Sequence, residues 1–183
     1  MDAFSVFAEP WWVNVLILAP LIAFAAFREK KIALTSQKLL LAALFGVAFG
    51  FAEAAVVIYI RAALGMVAVP SFQAIQVVNG IPKSLFAVEL FREAATMIML
   101  VSVALLAGRE PRARWAIFLF AFAVWDIFYY LFLWLVIGWP PSLTTTDVLF
   151  LIPTPWYAQV WFPILVSFLM IVAVIANRRI ESA

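Results

Sequence analysis

The 183-residue chain contains no cysteine and no histidine. Without cysteine there are no disulfides, thiolate metal ligands or thiol nucleophiles. Without histidine the commonest metal ligand and the commonest general base are gone. Haem, zinc and copper sites lose their usual ligands, so none of these is expected. An inorganic partner would be a proton or a hard cation held by carboxylates, such as Mg²⁺, Ca²⁺ or Mn²⁺. Charge is also scarce. Charged residues make up 12% of the chain, about half the usual share in a soluble domain. The phosphate-binding loop, the nucleophile elbow, the zinc-protease motif and the dinucleotide fingerprint are all absent. So are the alternating segments of about ten residues that build a membrane β-barrel.

What the chain has is apolar length. Hydrophobic residues make up 68% of it, in runs long enough to cross a bilayer, which takes about 20 residues of helix. The runs predict spans at about 11–27, 39–60, 84–107, 115–137 and 156–176. The expected fold class is all-α: an integral membrane five-helix bundle, one transmembrane domain over residues 1–183 with no separate soluble part. Asp2 and Glu9 precede the first run where a signal peptide would have basic residues, so that run reads as a span. Residues 62–81 read as a loop with a short interfacial helix over 71–78. Residues 148–152 form a short apolar piece ended by Pro153 and Pro155.

Lys and Arg near span ends set orientation. Nine of them (Arg28, Lys30, Lys31, Lys38, Arg109, Arg112, Arg114, Arg178 and Arg179) fall on one side, against Arg61 and Lys83 on the other. The N-terminus is therefore expected outside and the C-terminus in the cytoplasm. The basic residues sit as clusters beside spans, so the net charge of +2 points to the lipid bilayer and not to nucleic acid. Trp11, Trp12, Trp139 and Trp156 are expected as interface anchors.

The polar residues inside the spans carry the chemistry. Glu89, Arg92, Glu93 and Thr96 have the i, i+3, i+4, i+7 spacing of one helix face. A charge within the hydrocarbon costs at least about 2.5–3.5 kcal/mol, so it is rarely idle. At 1.5 Å per residue, Glu53, Glu93 and Asp126 lie roughly 22, 21 and 18 Å from the basic ends of their spans, with Glu89, Tyr129 and Tyr130 close to the same depth. Gly46, Gly50, Glu53, Val57 and Arg61 form a stripe, and its small-xxx-small pair favours close helix approach. Arg61 can fold back over this layer from the outer end of its span. Asp147 can reach it from the loop if residues 148–152 dip inward. Four intramembrane acids stand against Arg92 and Arg61. Either some acids are protonated or a cation sits among them, since like charges in low dielectric do not all ionise. The bland alternatives are an intrahelical Glu89–Arg92 pair that aids insertion, protonated acids as structural hydrogen-bond donors, and tyrosines that only pack.

The segments Phe51–Ala55, Glu89–Thr96, Val124–Tyr130 and Asp147–Trp156 resemble a family of small bacterial membrane proteins with no assigned activity. The resemblance runs from about Gly46 to Trp161. The chain departs from that pattern at Thr146, where a tryptophan is usual. The resemblance implies a bacterial inner-membrane protein and brings no reaction with it. Three functions fit the residues: a small proton- or cation-linked channel or carrier, a non-catalytic subunit of a larger membrane complex or homo-oligomer, and an intramembrane enzyme on a lipid-like substrate. In the last, Glu and Asp would be acid and base, Arg92 an anion clamp, and the outer loop a lid.

Overall fold

The structure is a computed structural model that describes residues 6–65 and 82–179. The expected interfacial helix over 71–78, and most of the loop around it, lie outside the described residues. Within them are five helices. The first span opens as a 3₁₀ helix, Trp11–Ile17, and continues as α1, Leu18–Glu29. The Asn14 side chain holds this start by accepting from Ala8 N–H (2.9 Å) and donating to the carbonyls of Ala8 and Trp11 (2.9 and 2.8 Å). Then come α2, Ser36–Ala63; α3, Lys83–Ala107; α4, Pro111–Ile137; and α5, Trp161–Asn177. Four of the spans, Trp11–Glu29, α2, α3 and α4, are long and apolar enough to cross a membrane, and α5 is shorter at 17 residues.

Two helices start earlier than their apolar runs do. The α2 helix begins at Ser36 because Thr35 Oγ1 caps it, accepting from Lys38 N–H at 3.3 Å. The α4 helix begins at Pro111, in the first-turn position where a missing N–H is harmless. It ends at Gly138, whose φ of +66° suits a residue without a β-carbon.

The main departure from the all-α expectation lies after α4. Residues Thr146–Phe150 and Trp156–Gln159 pair as an antiparallel hairpin, so the last helix begins at Trp161 and not at residue 156. Val148, Phe150, Trp156 and Tyr157 are strand-favouring residues, and Pro153 and Pro155 between the two strands forbid a continuous helix. The hairpin's other backbone groups also find partners: Tyr157 pairs with Glu9 in both directions (2.7 and 2.8 Å), Val160 N–H donates to Thr145 O (3.0 Å), and Trp161 N–H to Leu143 O (2.9 Å).

The α4 helix is the centre of the bundle, with α2 along one side and α5 along another. Gly46 and Gly50 set the first contact. A β-carbon on Gly46 would stand 2.9 Å from the Val124 side chain, and one on Gly50 would stand 2.8 Å from Trp125 O and 3.0 Å from Tyr129 N. The two backbones therefore touch where those residues lie. The α1 helix packs on α5, and α3 packs on α4, but α1 and α3 do not pack along one another.

At one end of the bundle Ile32–Ala33 pairs in parallel with Arg178–Arg179, Lys31 Nζ donates to Ala176 O at 3.2 Å, and Arg112 donates to Ala26 O and Lys30 O at 3.1 and 3.2 Å. Three of the basic connections thus share that end. The hairpin and Trp139 lie at the other. Trp139 does not behave as an interface anchor: it is 2% exposed and carries the Arg61 guanidinium over its ring, 4.0 Å from the centroid. A flat ring over a delocalised cation compensates for removing both from water.

Candidate functional site

The close α2–α4 contact fixes where Glu53 goes. It lies one turn beyond Gly50 on the same stripe, buried at 6% exposure, and faces α3. Arg92 there forms an ion pair with Glu53 Oε2 and holds Glu89 Oε2 through Nε and Nη2, both at 2.8 Å. Thr96 Oγ1 donates to Glu53 Oε1 at 2.5 Å. One arginine thus bridges two carboxylates, using the fork that a lysine lacks, and α3 is tied to α2 through this cluster.

Glu93 turns a different way. Both of its carboxylate oxygens accept from Leu151 N–H, at 2.9 Å each. The residues that follow the first hairpin strand therefore dip to the depth of α3. On α4, Asp126 Oδ2 accepts from Ser167 Oγ of α5 at 2.8 Å. One turn further along, Tyr130 donates to Asp147 Oδ2 at 2.9 Å. Asp147 is 4% exposed. Burial pushes its carboxyl up to about 6, while the Arg61 charge and hydrogen bonds from Tyr130 and Val148 N–H pull it down.

Glu53, Arg61, Glu89, Arg92, Glu93, Asp126, Tyr129, Tyr130 and Asp147 all line one cavity of about 730 Å³. Its remaining wall is apolar. Trp115, Phe118, Leu119 and Phe122 line it from α4, at the i, i+3, i+4, i+7 spacing of one helix face. Leu16 and Ala19 of the first span and Met97 and Ile98 of α3 flank it on the side where α1 and α3 are not packed together. Trp115 stands eleven residues before Asp126, so the apolar part runs roughly 16 Å along α4 toward the basic end. The cavity has a polar head and an apolar tail region, and a drug-sized ligand site falls in the same size range of about 300–1,000 Å³.

Glu53 and Glu89 share Arg92, while Glu93, Asp126 and Asp147 are turned to separate donors. Among the described residues no three acids are grouped so as to hold a metal ion. Arg92 faces Glu53 and Glu89 and so is engaged by the protein itself, not poised as the expected anion clamp. Two partners escaped the sequence reading. Ser167 is a lone hydroxyl inside an apolar run, and that isolation was a usable signal. Leu151 contributes its backbone N–H, which leaves no mark in a sequence.

No protein-family model matches the chain, and no curated protein or solved structure is significantly similar to it.

Proposed function

We propose that the chain is a multi-pass bacterial inner-membrane protein, N-terminus outside and C-terminus cytoplasmic, that admits a lipid-like amphiphile from the bilayer and performs acid–base chemistry on its head. The observation that carries this reading is the cavity: carboxylates, tyrosines and arginines at one end, and about 16 Å of aromatic and aliphatic wall beyond them. A free cation needs no such apolar space. An alkyl or isoprenoid tail does, and its entry route is the unpacked side between α1 and α3.

Roles follow from which groups retain hydrogen-bonding capacity. Arg92 and Thr96 position Glu53 and join α2 to α3. Asp126 has a hydrogen bond on Oδ2 only, and the Tyr129 hydroxyl one turn away has none among the described residues. These two are the proton acceptor and donor for a head group placed between them. Glu93, fixed by Leu151 N–H, holds the hairpin over the site as its cover.

The test is to purify the protein in mild detergent and identify bound lipid by mass spectrometry, then supply that lipid to the protein in nanodiscs. The parent should co-purify with an amphiphile and alter its head. Leu119→Trp, which fills the tail region, should co-purify with none, and Asp126→Asn should bind without turnover. If no amphiphile is found and the proteoliposomes instead show flux driven by a cation or pH gradient, a carrier is the right reading.

A further inference from the structure

Arg61 is a buried cation that, among the described residues, has an aromatic ring against it but no hydrogen-bond acceptor. It is 4% exposed, sits in the last turn of α2, and lines the polar end of the cavity. Its contact is the face of Trp139 at 4.0 Å. Among the described residues it makes no ion pair and no hydrogen bond, and its Nε is a buried donor without an acceptor. A guanidinium has five N–H donors in a fixed fork. Burying one with no acceptor is costly; the ring offsets part of that cost through its face, and an acceptor for the N–H groups would relieve the rest. Asp147 is near enough to feel its charge, but that carboxylate accepts from the Tyr130 hydroxyl instead.

The wider pattern points the same way. Every buried side-chain atom without a hydrogen-bond partner among the described residues is a donor: Arg61 Nε and the indole N–H groups of Trp125, Trp139 and Trp156. Arg61, Trp125 and Trp156 line the cavity. The acids outnumber the arginines at this wall, yet each acid already has a donor from the protein. None of these acids is hydrogen-bonded to Arg61.

We propose that Arg61 is the anchor for an anionic oxygen head, a phosphate ester or a carboxylate, with the Trp139 ring as the plate that keeps the fork aimed into the cavity. This rests on the amphiphile reading above and assigns the head its chemistry. Arg fits such heads through paired N–H···O bonds, and the ring behind it blocks a turn toward solvent.

The experiment measures binding to the full chain in nanodiscs of uncharged-headgroup lipid, by native mass spectrometry and tryptophan fluorescence. The probes are hexadecyl phosphate, hexadecanol, hexadecylamine and inorganic phosphate. In the parent, hexadecyl phosphate should bind at least tenfold tighter than hexadecanol, and hexadecylamine no tighter than the alcohol. Arg61→Gln should remove that preference, bringing hexadecyl phosphate to within threefold of hexadecanol, and Arg61→Lys should recover part of it. Equal binding of phosphate and alcohol by the parent, or tighter binding of the amine, overturns the proposal whether or not the variants fold. In that case the amphiphile reading survives. Arg61-dependent binding of inorganic phosphate with no binding of any of the three long-chain probes keeps the anion site and overturns the amphiphile reading. Absence of binding by all four overturns both.

Discussion

Replacing Arg92 by methionine isolates the cluster that joins α2 and α3. The change keeps an unbranched apolar stem and removes the only cation in contact with Glu53 and Glu89 among the described residues. Breaking a buried ion pair from one side costs about 3–5 kcal/mol. Two features lower that here. Arg92 keeps 24% of its side chain exposed, which screens part of the charge, and Glu53 keeps the Thr96 hydroxyl on Oε1. A loss of about 2–3 kcal/mol remains, which lowers the unfolding midpoint by about 4–12 °C on the scale of a domain this size. Intrinsic tryptophan fluorescence during a thermal scan in detergent reads it directly. The companion variant Glu53→Gln/Arg92→Met removes one of the two stranded charges and should recover part of the loss, because glutamine still accepts from Thr96 while Glu89 stays uncompensated. Arg92→Lys should recover less than half of the loss, since an ammonium does not fork across two carboxylates. An Arg92→Met protein that unfolds with the parent, or a double variant no better than the single one, refutes the argument that this cluster joins the helices.

Gly50→Ala should cost about 1–3 kcal/mol by overpacking, because its β-carbon would meet main-chain atoms of α4 at 2.8 and 3.0 Å; a thermal scan matching the parent would show that the backbones are not in contact. Asp147 holds its proton to about 6 in the fold against the ordinary 3.8, so the stability tied to that proton is present at low pH and lost as pH rises through about 6. Asp147→Asn should therefore gain on the parent between pH 4.5 and pH 8, and a difference in midpoint that does not change with pH would refute the assignment. Orientation can be read with single cysteines on the native cysteine-free background: Ser142→Cys should react with a membrane-impermeant maleimide in intact spheroplasts and Glu110→Cys only after permeabilisation, the reverse pattern refuting an outside N-terminus.

The helices were legible because apolar runs of this length have few other solutions. Gly46 and Gly50 also announced themselves, since two small residues four apart on an apolar helix invite a neighbour's backbone. The spacing of Glu89, Arg92, Glu93 and Thr96 put them on one face, and the fold brings that face to the cavity. What the sequence concealed lies where apolarity is ambiguous. Trp156 and Tyr157 are as apolar at the head of a span as in a strand, and only the prolines before them argued for a break. Ser36 and Arg112 fall outside the apolar runs because they are polar, yet capping and a first-turn proline, not hydropathy, decide where those helices begin. Trp139 looked like a residue for the membrane surface. Gly138 marks the turn that carries it inward, but nothing in the sequence pairs its ring with Arg61, which lies 78 positions earlier.

The bond between Glu93 and Leu151 has a consequence for genetics. Its donor is main chain, so every amino acid except proline supplies it at position 151. In a saturation scan Glu93 would be intolerant of change while no second position varied with it, and a search for correlated substitutions would report an acid without a partner. Position 151 would be held to apolar side chains by its burial, but not to any residue chosen to pair with Glu93. Proline alone would reproduce the phenotype of losing Glu93, and that single shared intolerance is the signature by which the pair could be recognised.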